Sequence, residues 1–191
     1  MKHSNVQGTL IAKTIEVMAT EGLDKTTTKA IVSGTGINEG YIYRHFANKD
    51  DLLVKTFDAL DEELVSRAME NISIMNMPQT EYETRCWLYF SAMWRFLLGN
   101  RAKCRAFIQY YYSPYFGKYS ATGHKARYQP FIAKFQTAFR SEANVWMLFN
   151  HLLTTMLDFA LKVMDGAVPD DDDTAAHVFQ LVYHSAKLYF R

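Results

Sequence analysis

Residues 36–53 read GINEGYIYRHFANKDDLL and crowd two tyrosines, an arginine and a histidine into five positions, 41–45. Aromatic and basic side chains at that density suit a core, a catalytic pocket or a surface that reads nucleic acid, and the flanks decide. On the N-terminal side, Thr35-Gly36-Ile37-Asn38 has the composition of a turn, with Gly36 free to take positive φ and Asn38 placed as a helix cap. A short helix over 39–45 is predicted to follow it. Another short helix carrying Ile31 and Val32 is predicted before it, with Thr26, Thr27 and Thr28 as hydroxyl caps. Downstream, Asn48 caps a longer helix with Asp50 and Asp51 in its first turn, where the helix dipole favours acids. Its apolar stripe, Leu53, Phe57, Leu60, Leu64, Ala68 and Ile72, keeps helical spacing.

A supporting helix comes first in the chain. Ser4-Asn5-Val6-Gln7 fits a capping box, and Val6, Leu10, Ile11, Ile15 and Met18 form one face that stops near Gly22. Two short helices joined by a Gly-containing turn and preceded by a third are the parts of a helix-turn-helix DNA-binding unit. In this register Ile42 and Phe46 point inward, while Tyr41, Tyr43, Arg44 and His45 reach outward. Arginine, histidine and tyrosine all donate hydrogen bonds to phosphate oxygens.

Residues 11–53, IAKTIEVMATEGLDKTTTKAIVSGTGINEGYIYRHFANKDDLL, resemble the DNA-binding domain of the TetR family of bacterial transcriptional regulators. Gly22, Thr27, Ile31, Gly36, Gly40, Tyr43, His45, Phe46, Lys49 and Leu52 stand in register with that family's pattern. The resemblance implies an all-α chain with an N-terminal three-helix DNA-binding domain and a C-terminal helical bundle for ligand binding and dimerisation. It further implies DNA contacts from Thr27, Thr28, Lys29, Asn38, Glu39, Gly40, Tyr41, Tyr43, Arg44, His45 and Lys49. Val32 and Thr35 replace small alanines of the pattern, and Asn38 stands where serine or threonine often caps. Glu39 is the sharper departure, because a carboxylate at the start of a reading helix repels phosphate. It can accept from cytosine N4, or stay exposed without a DNA contact.

Charge limits how DNA is held. The whole chain is +1. Up to Lys49, six cations (Lys2, Lys13, Lys25, Lys29, Arg44 and Lys49) face four acids (Glu16, Glu21, Asp24 and Glu39). So weak an electrostatic footprint predicts polar phosphate contacts and a modest salt dependence. Tyr43, His45 and Lys49 can also be read as an acid–base group, but no carboxylate joins them, and the resemblance gives each a phosphate. No enzymatic activity and no cofactor is expected.

Pro78 marks the predicted boundary with a second part, giving a DNA-binding domain at 1–47, a linking helix at 48–77 and a sensing and dimerising domain at 78–191. Residues 82–98 are apolar almost all round, as in a helix inside a bundle. Helical pieces near 101–112 and 125–139 follow, divided by Pro114, Gly117 and Gly123, and helices over 142–164 and 171–189 close the chain. Many of the aromatic residues beyond Pro78 belong to ordinary core. A cluster so rich in tyrosine also has the composition of a pocket for a small apolar or aromatic ligand. Trp87, Phe90, Trp94, Tyr110, Tyr111 and His151 are its expected lining. Arg85 and Arg95 are the cations on the central helix, so the expected ligand is neutral or weakly anionic.

His151, Thr155 and Asp158 share a helix face. They can hold a ligand's polar end, bridge a dimer interface or form a satisfied polar stripe. A two-fold dimer interface is expected from Trp146, Phe149, Leu153, Leu157, Val178, Leu181, Val182 and Leu188. No metal-ligand spacing links the histidines. The acidic run at 170–173 reads as a solvated cap on the last helix rather than a calcium loop.

Cys86 and Cys104 suit a reducing compartment. The N-terminus lacks a signal-peptide core, and the longest uncharged stretch, 143–157, is too short and polar to span a bilayer. A cytoplasmic, non-membrane protein is expected. Its predicted function is a ligand-responsive repressor that binds a double-stranded DNA operator as a homodimer. The alternative is a TetR-like DNA-binding protein that senses no small molecule and is controlled through a protein partner.

Overall fold

The computed structural model describes residues 3–191, and its regular elements are helical throughout. A single antiparallel bridge between Phe139 and Phe190 is the one strand-like pairing among the described residues. The chain forms two compact units. One takes the chain up to Glu63 together with Ala102–Ala126, and the other takes Leu64–Arg101 with Arg127–Arg191.

The first unit begins with α1 (His3–Glu21), α2 (Thr28–Val32) and α3 (Ile42–His45). Because α1 starts at His3, Ser4 stands inside the first turn; the side chains of the expected capping box at Ser4 and Asn5 lie outside the described residues. Gly22, at φ 95°, ends α1, a left-handed conformation that costs glycine nothing. Thr27 is extended and its hydroxyl oxygen accepts from the Ala30 amide at 3.1 Å, so α2 starts where the hydroxyl signal placed it. Gly36, at φ 71°, makes the turn.

The predicted helix at 39–45 enters as a 3₁₀ turn, Glu39–Tyr41, and becomes α-helical only at Ile42. Leu10, Ile31, Ile42, Phe46 and Leu52 form the core of this triad, with Val6, Ile11, Val32 and Ile37 packed against it. Each such side chain contributes about 1.5–3 kcal/mol by burial. Val32 thus fills space that a smaller residue would leave.

Helix α4 (Lys49–Glu70) starts in a reciprocal cap. The Asn48 side chain accepts from the Asp51 amide at 2.9 Å, and the Asp51 carboxylate accepts from the Ala47 amide at 2.9 Å. Helix α5 (Tyr82–Leu98) lies in the second unit, and α6 (Arg101–Tyr111) begins the other segment of the first. That segment is fastened to α4 and to the turn after α1 at named points. Gln109 accepts from the Leu23 amide at 2.7 Å, and Lys103 reaches both Glu63 oxygens at 2.5 and 2.7 Å. The Phe57 and Tyr110 rings stack at 4.6 Å, and His124 bonds Asp61 at 2.9 Å with both side chains fully buried.

Gly117 and Gly123 do not divide the chain as expected. Helix starts at Pro114, whose missing amide costs little there, and runs through a π-helical turn, Phe116–Ser120, into α7 (Ala121–Phe135). Pro130 lies inside α7. In the second unit, α5 packs on α8 (Val145–Met164) and α9 (Asp172–Lys187). These helices start later than the periodicity suggested, because Asn144 and Asp171 are their caps, accepting from Met147 and Thr174 amides at 3.0 and 2.8 Å.

The α4 cap yields a stability test. The bond from Ala47, helped by Lys55, holds the Asp51 carboxyl below its ordinary value. Its contribution is therefore present above the ordinary carboxylate pKa of about 4 and fades as pH falls through the lowered folded value. Asn48→Ala should cost about 1 kcal/mol at neutral pH, and Asp51→Asn should flatten the acid limb of stability, both read by thermal unfolding against pH.

Candidate DNA-binding surface and internal cavity

The helix-turn-helix core sorts the reading segment into two faces. Ile42 and Phe46 are buried at 0% and 2% exposure, and Tyr43 is 59% exposed. Arg44 is exposed with its guanidinium 4.8 Å from the Tyr41 ring centroid, while Tyr41 and His45 are half-buried. Lys29 is exposed, and Lys49 is half-buried at the first position of α4. Thr27 spends its acceptor on the α2 cap, which leaves its hydroxyl proton to donate.

Asn38 does not act as the expected side-chain cap; its carbonyl oxygen accepts from the Tyr41 amide at 3.1 Å instead. Its side chain stands so close to Gly40 that a Cβ there would meet Asn38 Oδ1 at 3.1 Å. Glu39 has a role that sequence spacing did not reveal. Its carboxylate accepts from the Thr28 hydroxyl at 2.5 Å, tying the start of the reading segment to the start of α2.

The second unit holds a partly open cavity of about 180 Å³. Helices α5, α7, α8 and α9 line it, with Leu64 and Ala68 from α4, and no lining residue carries a charge. The polar groups there are the hydroxyls of Tyr82, Tyr89, Tyr128 and Tyr183 and the Cys86 thiol. Tyr89 donates to the Ala68 carbonyl at 3.1 Å. Burial raises the pKa of Tyr82 and Tyr89, and pushes the Cys86 thiol up to about 11, so these groups stay neutral.

Of the expected pocket residues, Phe90 lines the cavity. Trp94 is buried against Phe90 at 5.7 Å, and Trp87 meets Phe179 edge-on at 5.2 Å, so both support the wall from behind. Tyr110 and Tyr111 belong to the first unit, where Tyr110 is fully buried. His151 is exposed on α8. Near it, Asp158 pairs with Lys162 at 2.7 Å, so that polar face gives the cavity no grip.

The expected dimer residues also divide. Phe149, Leu153 and Val182 line the cavity. Leu157 and Val178 are buried within the protomer at 1% and 2% exposure, and Trp146 is half-buried against Phe149. Leu157, Val178 and Val182 are thus buried without a second chain, whereas Trp146, Phe149 and Leu153 stay half-buried. Leu181 and Leu188 remain exposed at 55% and 75%, joined by Met147 at 66%, which periodicity alone did not single out.

Residues 10–56 match the model of the bacterial regulatory proteins of the tetR family. The N-terminal quarter is thus similar to the DNA-binding domain of that family. The TetR-like fold extends through the rest of the chain. A TetR-family regulator from Marinobacter aquaeolei superposes with a TM-score of 0.77 at 13% identity, covering 97% of this chain and 98% of its own. A TetR-family regulator from Shewanella gives 0.71 at 16%, covering 94% and 96%. FadR from Bacillus subtilis, in complex with stearoyl-CoA, gives 0.68 at 17%, covering 92% and 96%. No curated protein matches the chain. Among the described residues, no helix is long and apolar enough to cross a membrane.

The TetR-type reading segment generates one test at its unusual position. Glu39→Gln keeps an acceptor for Thr28 and removes the charge. It should strengthen binding to all DNA sequences alike, by up to about fivefold, the equivalent of one repulsion of about 1 kcal/mol in water. Changed preference at a single base pair, measured by binding to a randomised site, would instead make Glu39 a base reader.

Proposed function

We propose that this chain of TetR-like fold is a ligand-responsive repressor that binds double-stranded operator DNA as a homodimer. The observation that carries the sensing is the uncharged cavity in a chain that also bears a helix-turn-helix. An interior packed solid would have favoured control through a protein partner. The occupant that suits these walls is an apolar or aromatic molecule, or a hydrocarbon chain, held by shape and desolvation. The stearoyl-CoA bound by the similar FadR supports that reading.

In this proposal residues 1–47 hold DNA. Thr27, Thr28, Lys29, Tyr43, His45 and Lys49 contact phosphates, and Tyr41 and Arg44 reach base edges. Residues 48–77 link, and 78–191 sense and dimerise. Met147, Leu181 and Leu188 give α8 and α9 an apolar outer face suited to an isologous interface. Such a dimer places two reading helices in major grooves about 34–36 Å apart. Helix α4 contributes Leu52 and Phe57 to the first unit and Leu64 and Ala68 to the second, so a ligand beside Leu64 can bias the other end of the same helix. A coupling of about 1–3 kcal/mol is enough for release.

An operator selected from random DNA makes this testable. Tyr43→Phe and Lys49→Ala should weaken all sequences alike, with Lys49→Ala lowering the salt slope by roughly one, and changes at Tyr41 or Arg44 should shift sequence preference. Met156→Trp, which fills the cavity, should retain DNA affinity but abolish release by 1-decanol in anisotropy titrations. Sedimentation should give a dimer at micromolar concentration and a monomer for Leu181→Asp. A wild-type monomer, or equal 1-decanol release in the filled variant, counts against the proposal.

A further inference from the structure

At the start of α5 a cation stands beside the neutral cavity without an anion. Arg85 lies between Tyr82 and Cys86, both lining residues, and its Nη1 donates to the carbonyl of Met75, a third. Its guanidinium is 5.3 Å from the Tyr82 ring centroid, which offsets part of its desolvation. Its Nε is buried and meets no acceptor.

Among the described residues, no acid pairs with Arg85. Glu83, two positions away, faces Lys187 at 3.8 Å. The Tyr82 hydroxyl and the Cys86 thiol, on the same helix, stay protonated because burial raises both, and the Glu83 carboxylate also bears on Cys86 and Tyr183. A half-buried guanidinium with an unmatched donor and neutral neighbours is costly. The Tyr82 ring and the Met75 carbonyl offset part of that cost, and no acid among the described residues offsets the rest.

We infer that Arg85 is the head-group anchor of the cavity, and that the ligand is an aliphatic carboxylate whose chain fills the apolar interior. The inference rests on the ligand-sensing reading above and narrows it to one chemical class. With the guanidinium turned toward the cavity, a carboxylate beside Tyr82 would give Nε its acceptor and form charge-assisted bonds in a fork that arginine suits. The chain would meet only apolar wall, where a second charge has no partner. A thioester of the same chain is neutral at its carbonyl and would leave Arg85 unmatched.

The test uses the full chain and its own tryptophan fluorescence, since Trp87 and Trp94 stack on Phe90 of the cavity wall. The probes are sodium decanoate, 1-decanol and decanoyl-CoA. Decanoate is expected to bind roughly tenfold or more tightly than 1-decanol, the yield of one charge-assisted pair. Arg85→Met should erase that preference while leaving 1-decanol affinity within about twofold, and Arg85→Lys should retain part of it. Intact 1-decanol binding shows that the variant is folded.

Equal affinity for acid and alcohol in the wild type, or a preference that survives Arg85→Met, overturns the anchor but leaves ligand sensing standing. Decanoyl-CoA binding that depends on Arg85 as strongly as decanoate does would move the recognised anion to the nucleotide phosphates and overturn the carboxylate. If no probe binds the wild type, the sensing reading itself falls and takes the anchor with it.

Discussion

Phe57 is fully buried, and its ring stacks at 4.6 Å on Tyr110, more than fifty positions further along the chain. Phe107, Phe116 and His124 surround it with centroids 5.1–6.1 Å away. This aromatic knot is what makes one unit from two distant segments. It sets α4 against α6 and the π-helical turn, while Leu52 sets the same helix against the reading segment. A helix clamped at both places is a fixed strut, so the direction of its first turn, and of Lys49, is determined by aromatic packing.

The two functional surfaces use opposite electrostatic strategies. The reading segment is polar and open, with little net charge, and in the proposed function it would rely on donors such as tyrosine and threonine hydroxyls that cost little to desolvate. The interior of the second unit excludes charge from its walls and keeps its ionisable groups neutral by burial. In the proposed sensing role, selectivity there would depend on what the walls refuse. A charged group placed deep in the cavity would lose its hydration and find nothing in return.

Much of the N-terminal part could be read directly because each signal there is local. Glycine at positive φ, a hydroxyl cap and a reciprocal Asn–Asp cap act within four residues, and helix starts at Thr28 and Lys49 fall where they indicate. Glu39 eluded that reading because its partner, Thr28, lies eleven positions away on another helix. The C-terminal half was harder for the same reason. Aromatic composition announced a pocket, but which rings line it depends on the rotation of helices about their axes. At about 100° per residue, Trp87 and Trp94 stand only about 40–60° round the helix from Phe90, and that small rotation is enough to put them behind the wall it lines. Likewise, Phe149 and Leu153 share the apolar pattern of an interface but face inward. Apolar periodicity identifies a buried stripe without saying whether the same chain or another covers it.

The first unit's composition from two segments has a consequence for synthesis. The segment ending at Glu63 emerges well before Ala102–Ala126, which completes the surroundings of Phe57. At about 5–20 residues per second, the ribosome needs several seconds or more to supply the missing piece. During that interval the apolar side of α4 lacks its aromatic cover, although the small Leu10–Ile31–Ile42 core can already close. The nascent chain thus carries an exposed hydrophobic stripe of the kind that chaperones hold. The cover of α4, rather than the reading helix, matures on the schedule of the later segment.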